Sequence, residues 1–142
     1  MSLRDKIEEL IKDQKLAVLG TSNGALPHTT LVAFSANLEE STALFVTPSS
    51  SRKAQNIENN PYASLLIDNR GNNVLDFRDA CVITMKGKVD KAIKSDHIDF
   101  LSKHPHLVNF LKSPSTTLYK IRLEKVELVT NFQNIYELDL NE

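Results

Sequence analysis

The sequence predicts a mainly β protein, six or so antiparallel strands in a closed or nearly closed barrel with short peripheral helices. Three observations lead there. Short apolar or alternating runs of strand length follow one another along most of the chain. The first three are joined as a meander, by turns rather than by long connections. Helical spacing is confined to brief stretches at the start, after Ser51 and around Pro105. A mixed open sheet is the alternative, with the helix after the third strand as its crossover, but that helix is short for the task.

Leu3, Ile7, Leu10 and Ile11 fall on one stripe at helical spacing, and Ser2 with Asp5 fits a capping box, so residues 3 to 14 read as a helix. Leu16 to Thr21 is a short apolar run closed by Ser22-Asn23-Gly24, whose Asn-Gly pair is a hairpin signal. The return strand, Pro27 to Ala36, is rich in hydroxyl and β-branched residues. A polar loop, Asn37 to Ser41, leads into a third strand at Ala43 to Thr47. Pro48-Ser49-Ser50-Ser51 breaks it, and Arg52 to Asn59 reads as a helix that must stop before Pro61. Tyr62 to Asp68 is a fourth strand, followed by the loop Asn69 to Asn73. From Cys81 to Val89 the odd positions are apolar or small and their neighbours mostly polar, which marks a half-buried strand. Ser95 to Lys103 and His106 to Lys112 read as two short helices split by Pro105. From Thr117 the period of two returns through Tyr119, Ile121 and Leu123, then changes parity at Glu124-Lys125, which predicts a bulge.

At 142 residues, 41% apolar and 25% charged, the chain reads as one domain spanning residues 1–142. Cys81 has no partner for an internal disulfide and reads as a small apolar strand residue rather than a nucleophile. There is no apolar stretch of about 18 residues and no leader-like start, so the expectation is a cytoplasmic protein without a membrane partner. A net charge of −1 and 6% aromatic residues argue against a nucleic-acid partner. His97, His104 and His106 cluster in sequence, but no spacing matches a metal helix, so no metal is expected.

Chemistry concentrates at Thr47-Pro48-Ser49-Ser50-Ser51-Arg52-Lys53, where a strand ends in a hydroxyl-rich turn that opens a helix. Free amides at a helix start attract anions. Arg52 and Lys53 stand at the end of the helix dipole that disfavours cations, at a cost of a few tenths to about 1 kcal/mol that a bound phosphate would reverse. Arginine offers a planar fork to phosphate oxygens, and lysine a point charge. The competing reading is that the serines are turn and cap residues and the basic pair faces water. The turn has no Gly, which sets Walker-type nucleotide binding aside.

The runs Leu44-Phe45-Val46-Thr47, Ser51-Arg52-Lys53-Ala54-Gln55-Asn56-Ile57-Glu58-Asn59-Asn60-Pro61 and Ala63-Ser64-Leu65-Leu66 closely resemble the pyridoxamine 5′-phosphate oxidase family of FMN-binding split barrels. The resemblance covers about residues 15 to 90 and implies a six-stranded antiparallel split β-barrel. It further implies that Thr47, Ser51, Arg52 and Lys53 hold the phosphate of FMN, and that His28, Thr29, Thr30 and Leu31 lie against the isoalloxazine ring. Read by themselves, Thr29 and Thr30 are equally ordinary strand residues, and His28 a solvated turn residue. By the same resemblance the protein is a homodimer with its site between subunits, completed by the partner's Asn69 to Asp79 loop or its tail near Phe132. The function implied is an FMN-dependent oxidoreductase acting on a small-molecule substrate or electron donor. A flavin, haem or deazaflavin carrier on the same fold is the second possibility. The chain departs from the true oxidase, because His28 to Ser35 holds no Lys or Arg and there is no Trp, so vitamin B6 oxidation does not carry over.

Overall fold

A computed structural model describes residues 1–140; residues 141 and 142 of the predicted span lie outside the described residues. Helix α1 (Leu3–Asp13) carries the capping box in full, with Ser2 Oγ accepting from the Asp5 amide at 3.1 Å and the Asp5 carboxylate accepting from the Ser2 amide at 3.3 Å. It buries Ile7, Leu10 and Ile11, the predicted stripe. Strands β1 (Leu16–Ser22) and β2 (Pro27–Asn37) form the expected hairpin. Its loop is longer than the Asn-Gly pair suggests: Ser22 pairs with Pro27, Gly24 takes a φ of 106°, and Asn23 Oδ1 accepts from the Ala25 and Leu26 amides. An asparagine side chain closing its own turn in this way holds a four-residue loop without help from the barrel.

Strand β3 (Thr42–Pro48), helix α2 (Arg52–Asn59) and strand β4 (Tyr62–Asp68) follow as the sequence predicts. The loop after β4 contains a short helix that the pattern did not reveal, α3 (Asp76–Asp79). Strand β5 (Cys81–Lys91) alternates as expected. Helix α4 (Lys94–Lys103), a 3-10 turn (Pro105–Leu107) and helix α5 (Val108–Lys112) form the predicted helical insertion, broken at Pro105. Strand β6 (Thr116–Thr130) then runs the length of the barrel. Lys86 pairs with Lys125 and Gly87 with Leu123, so Glu124 is the extra residue of a bulge where the parity changes. Gly87 is required there, since a Cβ would run into the Arg122 carbonyl. A last strand, β7 (Asn134–Leu138), was not expected; its exposed positions run together and give no period-two signal.

All ladders are antiparallel, and β1 to β6 close in the order β1-β2-β3-β6-β5-β4, with β7 appended beside the far half of β6. The alternative of a mixed open sheet is excluded by the β3–β6 pairing. Phe34, Phe45, Leu19, Leu65, Ile83, Met85, Ile121 and Leu128 fill the interior, each buried side chain contributing about 1.5–3 kcal/mol. A second cluster joins Leu44, Val46 and Leu118, on the outside of β3 and β6, to Phe100 of α4. No helix among the described residues is long and apolar enough to cross a membrane.

Two ladders are short, and their shortness shapes the molecule. β2 pairs with β3 only over Phe34–Asn37, and β1 pairs with β4 only over Val18–Gly20. The β1–β2 hairpin therefore parts from both neighbours at the barrel end that carries α2. The buried side chain of Asn56 on α2 donates to Thr21 Oγ1 on β1 at 3.2 Å and braces the hairpin from beneath.

Candidate cofactor site

Thr47, the last residue but one of β3, has its side chain buried, and its hydroxyl lies 2.9 Å from that of Ser51. Ser51 is the N-cap of α2: its Oγ accepts from the Ala54 amide at 3.2 Å, and its own amide donates to the Pro48 carbonyl. The reading of the serines as cap and turn residues holds for Ser51, and for Ser49, whose hydroxyl pairs with Thr117 across to β6. It does not exhaust them. Of the two hydroxyl protons of Thr47 and Ser51, one is used between them and the other remains to be donated. The first-turn amides of Arg52 and Lys53 have no intrachain acceptor among the described residues, and the first turn of α2 holds no acid. Arg52 is exposed and Lys53 half-buried, with no carboxylate within salt-bridge distance of either among the described residues. Hydroxyl, amides and two cations on one turn fit a phosphate group.

Thr30 and Leu31 stand on the part of β2 that has left β3. Continuing the Phe34–Phe45 register would set Thr30 opposite Ser49 and Leu31 opposite Pro48. The unpaired stretch of β2 and the Thr47–Lys53 turn thus face each other across the opened seam. His28 and Thr29 are on the same hairpin but line a different concavity, a cavity of about 600 Å³ shared with Gly20, Ser22, Tyr62, Ser64 and Lys86. Thr47, Ser51, Arg52 and Lys53, the residues expected at the phosphate, stand together on one turn, and the extended register would place Thr30 and Leu31 opposite them; His28 and Thr29 line the other concavity. Sequence reasoning missed Thr21, Asn56 and Tyr62, whose positions depend on strands far apart in the chain. Below the turn, Tyr119 stacks on Phe45 with centroids 5.4 Å apart. Burial pushes its phenol up from the ordinary value, and the charge of Glu58 adds to this, against a hydrogen bond from Thr117.

The loop and tail expected to complete the pocket lie at the other end of the barrel. Asp68 pairs with Val82 and Cys81 with Thr130, whereas Thr47 pairs with Thr117. From Thr117 to Thr130, β6 covers roughly 40 Å at about 3.3 Å per residue. At that far end Phe77 of α3 and Phe132 of the β6–β7 turn meet with centroids 5.6 Å apart, beside Val74 and Val82. Phe132 holds a φ of 58°, a strained setting for a bulky residue.

A closed six-stranded antiparallel barrel, opened at one seam beside a basic helix start, defines a split-barrel protein. The chain belongs to the pyridoxamine 5′-phosphate oxidase family, whose profile matches residues 3–130. No curated protein matches it. Among solved structures it is similar to a haem binding protein from Mycobacterium smegmatis, with a TM-score of 0.85 at 11% identity over 99% of this chain and 59% of that one. It is similar to the General Stress Protein 26 from Bacillus anthracis str. Sterne, with a TM-score of 0.71 at 24% identity over 97% of this chain and 100% of the other. A FAD-binding protein from Mesorhizobium loti gives a TM-score of 0.65 at 14% identity over 90% and 94% of the two chains. At these identities the likeness is one of fold.

Proposed function

We propose that the protein binds FMN in the seam between β2 and β3 and is an FMN-dependent oxidoreductase that works as a homodimer in the cytoplasm. The observation that carries this reading is the Thr47–Lys53 turn, which holds a spare hydroxyl proton, two amides without an intrachain acceptor and two cations without a carboxylate partner among the described residues. Thr47, Ser51, Arg52 and Lys53 would hold the phosphate, and Thr30 and Leu31 would border the ring. His28 and Thr29 would act from the hairpin's other side, toward a small-molecule substrate or electron donor. Bound flavin supplies the electron or hydride transfer, and the chain's part is to bind, orient and shield it. Because the Phe77–Phe132 wall is remote from the turn of its own chain, a second copy is what could bring such a wall to the seam.

Titration with FMN, followed by quenching of flavin fluorescence, tests the reading. Charge-assisted hydrogen bonds are worth about 1.5–3 kcal/mol each. Replacing Arg52 and Lys53 together by Ala should therefore weaken binding about 100-fold or more, with little change in melting temperature. Equal affinity in the double variant would overturn the assignment. A carrier of flavin, haem or deazaflavin without turnover is the second reading, favoured by the fold shared with the haem binding protein. His28, which lines the cavity of about 600 Å³ beside the hairpin, would then be the residue to hold the haem iron, whereas His104 is buried and bonded to the Phe34 carbonyl. The absorption spectrum of the loaded protein separates these ligands, and consumption of a reductant separates carrier from enzyme.

A further inference from the structure

We propose that the cavity between β1 and β4 binds an aromatic α-amino acid, whose carboxylate meets Lys86 and whose ammonium meets Glu124 at the β6 bulge. The proposal deepens the reading given above for the His28–Thr29 side of the hairpin, and rests on it in taking this concavity as a ligand site. Thr29, Gly20, Ser64, Lys86 and Lys125 are successive ladder partners, one row across the outer wall from β2 to β6. Gly20 is the low point of that row: a Cβ there would stand 3.1 Å from Ser64 Oγ, and its absence leaves a flat floor. Past Gly20 the β1–β4 ladder has ended, and the cavity of about 600 Å³ opens where the two strands part. Small-molecule sites run to about 300–1,000 Å³. Pro27 lines the cavity from the β2 side and the exposed ring of Tyr62 from the β4 side. An aromatic ring laid on the glycine floor between them buries apolar surface against both.

Charge at the rim sets the other end of the ligand. In a regular strand Glu124 and Lys125 would point to opposite faces of the wall. The bulge leaves both of them exposed, and both line the cavity. Lys125 is held by Glu127 at 3.6 Å and by Glu137 at 3.8 Å. Lys86, directly across the ladder from Lys125, and Glu124, the next residue along, have no ion-pair partner among the described residues. One cation and one acid thus stand unmatched as neighbours on adjacent strands of the same cavity. A ligand with only a negative charge would be drawn to Lys86 and repelled by Glu124, and one with only a positive charge the reverse. An α-amino acid carries both charges on one carbon and satisfies both side chains together. The hydroxyls of Thr29 and Ser64, on the same row, are further donors for its carboxylate.

The chain contains no Trp, so indole fluorescence belongs to the probe alone. The anisotropy of L-tryptophan titrated with the full chain, with and without FMN, tests the proposal. Indole-3-propionate, which lacks the amine, and tryptamine, which lacks the carboxylate, are the comparators. Wild type should bind L-tryptophan more tightly than either. Lys86→Gln should weaken L-tryptophan about fivefold and remove its advantage over tryptamine. Glu124→Gln should weaken it by a similar factor and remove its advantage over indole-3-propionate. Lys88→Gln, an exposed change on β5 outside the cavity, should alter neither, and all three variants should keep the wild-type circular dichroism. No rise in anisotropy with wild type, or equal affinity in wild type, Lys86→Gln and Glu124→Gln, would overturn the site. Tighter binding of either comparator than of L-tryptophan would overturn the paired-charge assignment. L-tryptophan bound by a protein that takes up no FMN would support the site and remove the flavin. FMN uptake without L-tryptophan binding would do the reverse.

Discussion

At the scale of single residues, His104 is the group whose burial has the clearest consequence in solution. Its ring is 1% exposed, and Nε2 lies 2.7 Å from the Phe34 carbonyl, so that nitrogen carries the proton and donates it. Phe100 packs on one side at 4.8 Å, and the charged or chargeable groups around it are Lys103 on α4, His106 on the 3-10 turn and Lys15 between α1 and β1. Burial holds its pKa below the ordinary 6.5, and those neighbours push the same way against the Phe34 hydrogen bond. The unfolded chain takes up a proton near pH 6.5 that the folded chain refuses. Stability contributed by this site is therefore complete above about pH 6.5 and declines as pH falls toward the folded value. The melting temperature should drop between pH 7 and pH 5, and His104→Gln, which keeps an N–H for the carbonyl, should flatten the drop. An equal slope in that variant would assign the effect elsewhere. Lys103 beside it is brought down to about 8 by burial, then by Lys15. The Ile11 carbonyl at 2.8 Å and the Phe34 ring at 3.9 Å pull the other way, since both favour the charged amine.

At the scale of elements, what is local in sequence could be read and what depends on pairing could not. The capping box of α1, the break at Pro105 and the bulge at Glu124 each follow from neighbouring residues and were legible. The Thr47–Lys53 turn was legible for the same reason, as a strand end, a cap and a helix start in succession. The short β1–β4 and β2–β3 ladders were not, because nothing in β2 says where β3 stops following it. Strand β7 was hidden by its exposure. Asn56 looked like one more polar residue in a polar helix, yet it is buried and holds Thr21. Leaving one partner of a buried hydrogen bond unsatisfied costs about 1–3 kcal/mol. Asn56→Ala should lose that much in urea unfolding, Thr21→Val a similar amount, and the two together less than their sum, with a coupling of about 1 kcal/mol. Additive losses would mean that the hairpin is not braced through this bond.

At the scale of the whole molecule, the seam and the aromatic wall stand at opposite ends of one barrel, and this separation makes the proposed shared site testable by mixing chains. If each site combines the Thr47–Lys53 turn of one copy with the Phe77–Phe132 wall of the other, two chains defective in different halves can complement each other. One chain would carry Arg52→Ala with Lys53→Ala, and the other Phe77→Ala with Phe132→Ala. Each homodimer then has two defective sites. A heterodimer concentrates both defects in one site and leaves the second intact. With random exchange of equal amounts, half the dimers are heterodimers, so about a quarter of all sites should regain wild-type FMN affinity. A site built within one chain gives no recovery at any mixing ratio, since every chain would keep its own lesion. Flavin titration of the two pure variants and of their mixture after subunit exchange decides between these.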